Sequence, residues 1–244
     1  MLTSFPRELL LNSPERRHEL VQKFYEHHHQ SKRDISLAKG EKIKLDFYKN
    51  QLEEHGHFFD LCIDFGCRGG TITQGLMSFG NWVGVDIDRN AIELAESRGI
   101  PCVESDISVS LDFKDESFDA ICMTEVLEHL PYPSITLAEV WRVIKKNPKS
   151  VFLGSIPLDY HFRRRWQVMR GKGVSKDPTH LRSFSFQDIQ TLLNSYFESV
   201  TFFPVRGLKV KYPLLSWNHF VSDVAWFAKA PRPKPQNYYL KLQL

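Results

Sequence analysis

The segment from Asp60 to Asp88 constrains this chain more than any other. It begins Asp-Leu-Cys-Ile-Asp-Phe-Gly-Cys-Arg-Gly-Gly and ends Val-Gly-Val-Asp-Ile-Asp. An apolar run stops at Asp64. A turn containing Gly66, Gly69 and Gly70 follows, then a helical pattern, then a second apolar run that stops at Asp86. Strand, tight turn, helix, strand and acid is the layout of a βαβ unit that binds a nucleotide-like ligand at its first turn.

The same alternation continues downstream. Short apolar runs occur at Leu61–Asp64, Trp82–Asp86, Cys102–Glu104, Phe118–Thr124, Val151–Ile156, Ser199–Pro204 and Val221–Lys229. Helical patterns fit at Thr71–Phe79, Asn90–Arg98, Ser134–Lys145 and Phe186–Tyr196, the last opened by a capping-box-like Ser185-x-x-Asp188. Strands separated by helices predict an α/β fold with a doubly wound, mostly parallel sheet. Residues 1–58 are polar, with helices expected over Glu15–His29 and Leu37–Leu52, and read as an N-terminal helical cap. The main domain is expected over 59–230, with a lid insertion at about 157–184 and a Pro-rich tail over 231–244.

A chain of 244 residues suffices for one such domain with a full core. Its net charge of +3 is too small to point to nucleic acid. The cysteines, Cys62, Cys67, Cys102 and Cys122, form no Cys-x-x-Cys pair and read as buried free thiols of a reducing compartment. The sequence has neither a long apolar span nor a signal-peptide pattern at Met1–Asn12, so a cytoplasmic location is expected.

The glycine turn discriminates between ligands. A dinucleotide fingerprint needs Gly-x-Gly-x-x-Gly so that backbone can approach a pyrophosphate. Counted from Gly66, the second glycine position is Arg68 and the third is Thr71. Asp64 beside the turn disfavours a pyrophosphate and suits a ligand with a cationic end. S-adenosylmethionine (SAM) has an ammonium, a sulfonium, a ribose and an adenine, and carboxylates accept from ammonium and hydroxyl groups alike. Asp86 stands about 20 residues past the turn, where an acid meets ribose hydroxyls. Asp106 ends another short strand and can accept from an adenine amino group. The structural alternative is that these acids cap helices or end strands.

The chain resembles the class I SAM-dependent methyltransferases over roughly residues 40–205. Ile-Asp-Phe-Gly-Cys-Arg-Gly-Gly is similar to that family's first motif, Val-Gly-Val-Asp-Ile-Asp to its second, and Glu-Ser-Asp-Ile to its adenine-contacting motif. Phe-Asp-Ala-Ile-Cys-Met-Thr-Glu-Val-Leu-Glu-His-Leu is similar to the block after these in the subgroup of ubiquinone-type O-methyltransferases. Leu-Ala-Glu-Val-Trp-Arg-Val-Ile-Lys-Lys resembles the helix before the fifth strand. Arg68, where the family often has glycine, is a departure. The resemblance implies that Asp64, Gly66 and Gly70 line the methionyl side and that Asp86 holds the ribose, with Ile87 against the adenine. It further implies that Asp106 and Ile107 read the adenine edge, and that Met123 sits over the cofactor. A seven-stranded sheet with an antiparallel last strand, Val221–Lys229, is implied as well.

Methyl transfer to oxygen requires an aligned acceptor and a base or a metal. Glu125, Glu128 and His129 follow the fourth strand. If that segment is helical, Glu125 and His129 share a face, and His129 is the first candidate for the base. Asp177-Pro-Thr-His-Leu-Arg-Ser-Phe resembles a substrate-binding block, so His180 and Arg182 either face the acceptor or fix their loop. Phe162, Trp166 and Met169 fall on one stripe of an arginine-rich helix, and Lys209–Trp217 adds aromatics. A lid, a peripheral membrane contact and a solvated basic face all fit that pattern. No metal site is expected: consecutive His27, His28 and His29 do not converge on a helix, and Glu125-x-x-Glu128-His129 is not a paired di-iron motif. The expected function is methylation, at oxygen, of a small-molecule, sugar or lipid-linked acceptor. A non-catalytic SAM-binding protein and a nicotinamide-dependent oxidoreductase are the alternatives.

Overall fold

A computed structural model describes Lys23, 39–108, 113–173, 177, 179–207 and 220–235. The expected helix Glu15–His29, the His27–His29 run and Lys209–Trp217 therefore lie outside the described residues, Lys23 apart.

The elements follow in the order α1 (Lys39–His55), β1 (Phe59–Phe65), α2 (Thr71–Leu76), β2 (Gly80–Asp86), α3 (Arg89–Ser97), β3 (Cys102–Glu104), β4 (Ala120–Thr124), α4 (Pro133–Val143), β5 (Val151–Pro157), α5 (Phe162–Met169), α6 (Phe186–Tyr196), β6 (Phe197–Gly207) and β7 (Val221–Pro231). Single 3₁₀ turns cover Met77–Phe79 and Leu127–His129. The seven strands form one sheet in the order β3-β2-β1-β4-β5-β7-β6. β7 runs antiparallel to both β5 and β6, and every other pairing is parallel. This is the doubly wound α/β sheet the alternation predicts, with its antiparallel strand at Val221–Pro231.

Strand periodicity divides the core between two faces. Ile63, Phe65, Ile121, Met123 and Phe152 point to the layer that α4 and α6 cover with Leu137, Val140, Ile189 and Leu193. Cys62, Trp82, Ala120, Cys122 and Leu153 point to the other, covered by Leu45, Tyr48 and Leu52 of α1 and by Ile72 and Leu76 of α2. α1 is thus one of the layers of the sheet sandwich. α6 is anchored by the expected capping box: the Ser185 hydroxyl accepts from the Asp188 backbone N–H, and Asp188 accepts from that of Ser185.

Two expectations about local structure change. The helix expected over Thr71–Phe79 stops at Leu76 and tightens into a 3₁₀ turn before β2. The segment after β4 is not an α-helix: Glu125 takes a left-handed conformation (φ 55°), and only a single 3₁₀ turn follows. Among the described residues no helix is long and apolar enough to cross a membrane.

Candidate active site

In an open sheet of this order the chain direction switches between β1 and β4, and the crevice beyond their carboxyl ends receives a ligand. Both segments singled out from the sequence meet there. The glycine turn leaves β1 after Phe65, and Glu125 to His129 leave β4 after Thr124. They are pressed together: a Cβ on Gly66 would lie 2.5 Å from Val126 Cγ2. Gly66 (φ 74°) and Gly70 (φ 72°) are both left-handed, and a Cβ on Gly70 would clash with Ile100 Cδ1. Those positions need glycine for backbone angle and for space.

The turn is fastened to β2. The Gly66 and Cys67 N–H groups donate to the Val85 carbonyl at 2.8 and 3.1 Å. Arg68 N–H donates to Asp86 Oδ2 at 2.8 Å, while Asp86 Oδ1 accepts from Ile87 and Asp88 N–H at 2.8 and 2.9 Å. Arg68 is left-handed at φ 49° and its side chain points into solvent, so it leaves the inner face of the turn open. Asp88 caps α3 by accepting from Asn90 and Ala91 N–H. Of the three acids at strand ends, Asp86 thus has the structural duty the alternative reading assigned, while retaining acceptor capacity: a carboxylate offers about four lone-pair sites.

Asp64 is buried on the α1–α2 side and accepts a 2.6 Å hydrogen bond from the Thr73 hydroxyl. Burial, with the nearby Asp86 charge adding, pushes its carboxyl up to about 6; the Thr73 and Cys122 hydrogen bonds oppose the rise. Two neighbouring carboxyls beside an open glycine turn fit a ligand bearing a cation and hydroxyls, and disfavour a pyrophosphate. Asp106 accepts from Ser108 N–H at 2.8 Å, with half-buried Ile107 between them. Ile87 is half-buried beside Asp86. The chemistry of these side chains, two carboxyls and apolar neighbours at strand ends, fits the cation, hydroxyls and adenine of SAM, as the resemblance implies for Asp64, Asp86, Ile87, Asp106 and Ile107. Met123 is different. Its side chain is fully buried in the α4–α6 core layer, and not at the crevice surface.

Beyond β4 the three catalytic candidates separate into two groups. Glu125 turns toward α1. Its Oε1 lies 2.8 Å from Lys44 Nζ and accepts from the Ser155 hydroxyl at 2.7 Å. Burial alone would raise the Glu125 carboxyl, but Lys44 and the Ser155 hydroxyl more than offset it and hold it below its ordinary value. His129 and His180 stack edge to face with ring centroids 4.9 Å apart. His129 Nδ1 lies 3.1 Å from the Thr179 carbonyl oxygen, which can only accept, so Nδ1 carries the proton and Nε2 the lone pair. Burial, aided by His180, pushes the His129 imidazole down to about 4, leaving it neutral at physiological pH. The i,i+4 relation expected between Glu125 and His129 is replaced by that 3₁₀ turn, entered through the left-handed Glu125.

Glu128, named from the sequence only as a neighbour of Glu125 and His129, is the acid that the structure buries. It is 1% exposed, and neither of its carboxylate oxygens has a hydrogen-bond partner. Burial and the Glu125 charge push its carboxyl well up. Its backbone carbonyl accepts from Leu181 and Arg182 N–H, which ties the 177–184 loop to the end of β4 and brings His180 across 51 residues of sequence to the cluster. Arg182 fixes that loop: its guanidinium Nε donates to the Pro131 carbonyl at 2.8 Å. On α5, Phe162, Trp166 and Met169 are all exposed along one side.

Comparison with known proteins agrees with this geometry. The Methyltransferase domain family matches residues 63–152. A ubiquinone biosynthesis O-methyltransferase of Nitrosococcus oceani is 30% identical over 129 residues, covering 49% of this chain and 53% of that protein. A 2-phytyl-1,4-naphtoquinone methyltransferase of Nostoc is 32% identical over 114 residues, covering 42% and 47%. The chain spans about half the length of these curated relatives. A SAM-dependent methyltransferase from Archaeoglobus fulgidus superimposes with a TM-score of 0.57 at 19% identity, covering 76% of this chain and 94% of that one, which speaks for the fold. Residues 63–152 are similar to the Methyltransferase domain family, and the sheet order is that of the SAM-dependent methyltransferase it superimposes on.

Proposed function

We propose that the protein transfers a methyl group from SAM to an oxygen of a small-molecule acceptor, free or linked to a sugar or lipid. The observation that carries this reading is the contact between Gly66 and Val126, which sets the cofactor turn directly against the segment bearing Glu128 and His129. Curated relatives named as O-methyltransferases and quinone methyltransferases support it.

SAM brings an activated methyl on a sulfonium; the protein has to align the acceptor, exclude water and take a proton. The acceptor oxygen attacks the methyl carbon, the carbon–sulfur bond breaks toward sulfur, and the hydroxyl proton must leave. Neutral His129, with its lone pair fixed at Nε2 by Thr179, accepts that proton. His180 packs against the ring and orients it. Glu125, held by Lys44 and Ser155, shapes the wall of the site and takes no proton in this scheme.

The test combines two measurements. SAM should bind saturably to the purified protein, and an extract of cell metabolites given labelled SAM should yield a compound gaining one labelled methyl. Binding with no methylated product would leave a non-catalytic SAM-binding protein. Binding of NAD and not SAM would overturn the cofactor assignment.

A further inference from the structure

We infer that the buried Tyr48 hydroxyl on α1 is a positioning group for the cofactor side of the crevice, acting on Asp64 through a buried chain of hydrogen-bonding groups whose other end is Glu125. At one end the Asp64 carboxyl takes a hydrogen bond from the Cys122 thiol. Cys122 Sγ lies 3.6 Å from Thr124 Oγ1, which lies 3.3 Å from the Tyr48 hydroxyl. That hydroxyl also bonds Ser155, whose own hydroxyl donates to Glu125 Oε1 at 2.7 Å. Asp64, Cys122, Tyr48 and Ser155 are buried, so these groups have to satisfy one another.

They cannot all do so at once. An ionised carboxylate only accepts, and a hydroxyl or thiol has one hydrogen to give. With both acids ionised, five contacts have to be filled with four hydrogens, those of Cys122, Thr124, Tyr48 and Ser155. One contact then sets two lone pairs against each other. The distances locate it: Tyr48 to Thr124, at 3.3 Å, is beyond the usual O–H···O range of about 2.5–3.0 Å, whereas Ser155 to Glu125 is within it. A proton on Asp64 makes up the shortage, because every contact can then be filled in one direction, toward Glu125. Glu125 does not take that proton, since Lys44 Nζ stands 2.8 Å from it. The chain therefore helps to keep Asp64 protonated.

Cutting the chain removes the shortage. Without the Tyr48 hydroxyl, Thr124 can donate to Cys122 and Cys122 to Asp64, while Ser155 still donates to Glu125. Loss of a buried hydroxyl should thus make Asp64 more acidic. The other groups facing Asp64 are Thr73, Asp86 and the Cys67 thiol. Those facing Glu125 are Lys44, His180, Glu128, Asp159 and Asp223. All of these stay in place when only the hydroxyl is removed. In the function proposed above SAM meets the ionised form of Asp64, so Tyr48 sets the pH at which the cofactor side becomes competent. That consequence rests on the proposed function; the chain does not.

Carbon-13 NMR of the Asp64 carboxyl through a pH titration tests the chain in the full-length protein without cofactor, the signal being identified by its loss in Asp64→Asn. Against a midpoint of about 6 in the parent, Tyr48→Phe, which keeps the buried ring, should lower it by about 0.5–1 pH unit. Ser155→Ala cuts the same chain one step further on and should lower it by a similar amount, which keeps the test sound should Tyr48→Phe fail to fold. One cut suffices, so the double variant should fall no further, whereas looser packing or entering water would act additively from the two sites. An unchanged midpoint in either folded single variant, or shifts that add in the double, overturns the chain. SAM affinity in Tyr48→Phe should rise about 3–5-fold at about pH 5 and match the parent at about pH 8. A midpoint that moves without that gain overturns the cofactor role of Tyr48 and the place of Asp64 at the ammonium.

Discussion

Lys44 Nζ lies 2.8 Å from Glu125 Oε1, joining the helix that precedes the sheet to the residue that follows its fourth strand. Lys44 is buried, and Glu125 also accepts from the Ser155 hydroxyl on β5. Three elements are thereby locked at the edge of the crevice. The pair holds Glu125 in a left-handed conformation, which costs a non-glycine residue roughly 1–2 kcal/mol.

Removing one partner should be worse than removing both. Lys44→Met leaves a half-buried carboxylate and Glu125→Gln leaves a buried ammonium. Each should cost about 2–4 kcal/mol, at and below the range for broken buried pairs because the Glu125 side chain is 34% exposed. The double variant should cost clearly less than the sum. Urea unfolding of all four proteins measures this, and strict additivity would mean that the contact contributes nothing.

Asp64 makes stability and cofactor binding respond to pH in opposite ways. Its carboxyl rises from 3.8 to about 6 on folding, chiefly through burial. Below about pH 4 folded and unfolded chains both hold the proton and nothing is lost. Between pH 4 and 6 the unfolded chain releases it first, so folded stability falls; above 6 the loss is complete, at about 3 kcal/mol for two pK units. Asp64→Asn should therefore gain up to that amount relative to the parent as pH goes from 4 to 7, read as the difference between their urea unfolding free energies. SAM binding, which in the proposed site sets the ionised form against an ammonium, should strengthen in the parent through the same window and stay flat in Asp64→Asn. A parallel pH response of the two proteins would remove Asp64 from the ammonium site.

Asp86 carries a backbone duty and, in the function proposed above, a ligand duty, and two substitutions separate them. Asn keeps one carbonyl oxygen for the Ile87 and Asp88 N–H groups but removes the charge. Ala leaves the Arg68, Ile87 and Asp88 donors without their acceptor. Asp86→Asn should weaken SAM about 10–100-fold, as expected for one charge-assisted hydrogen bond, and lower stability less than Ala does, because only the Arg68 N–H then loses its acceptor. Asp86→Ala should also destabilise the protein by about 1–3 kcal/mol. Calorimetric titration and thermal unfolding distinguish the outcomes; unaltered SAM affinity in folded Asp86→Asn would refute the ribose assignment.

The fold was legible because each strand run ends in a marked residue: Asp64, Asp86, Glu104 and Thr124 all close or adjoin the strands expected there. The place of the residues proposed for the cofactor follows for a related reason: they sit on short turns immediately after strands, where position follows from sequence. The catalytic side was not legible. Whether Glu125 and His129 share a face depends on one left-handed residue, and propensity does not predict a strained φ paid for by a distant lysine. The burial of Glu128 has no local sequence signal, because the 177–184 loop that is tied to its backbone lies more than 40 residues away. Met123 followed the family resemblance to the crevice, whereas strand parity sends it into the core with Ile121.

Gly66 provides the sharpest test of how the two halves of the site meet. At φ 74° an alanine there is strained by roughly 1–2 kcal/mol, and its Cβ would lie 2.5 Å from Val126 Cγ2. Gly66→Ala should therefore push the turn off β4's exit, lower stability by about 2–4 kcal/mol and sharply reduce SAM affinity. Val126→Ala removes the methyl that clashes. Added to Gly66→Ala it should restore part of the SAM affinity, although alone it costs about 1–2 kcal/mol as a buried truncation. The φ strain remains in the double variant, so the rescue should be incomplete. Calorimetry on the four proteins measures the coupling. If Val126→Ala fails to improve binding by Gly66→Ala, then the contact does not set the spacing between cofactor and acceptor, and the alignment must come from elsewhere in the turn.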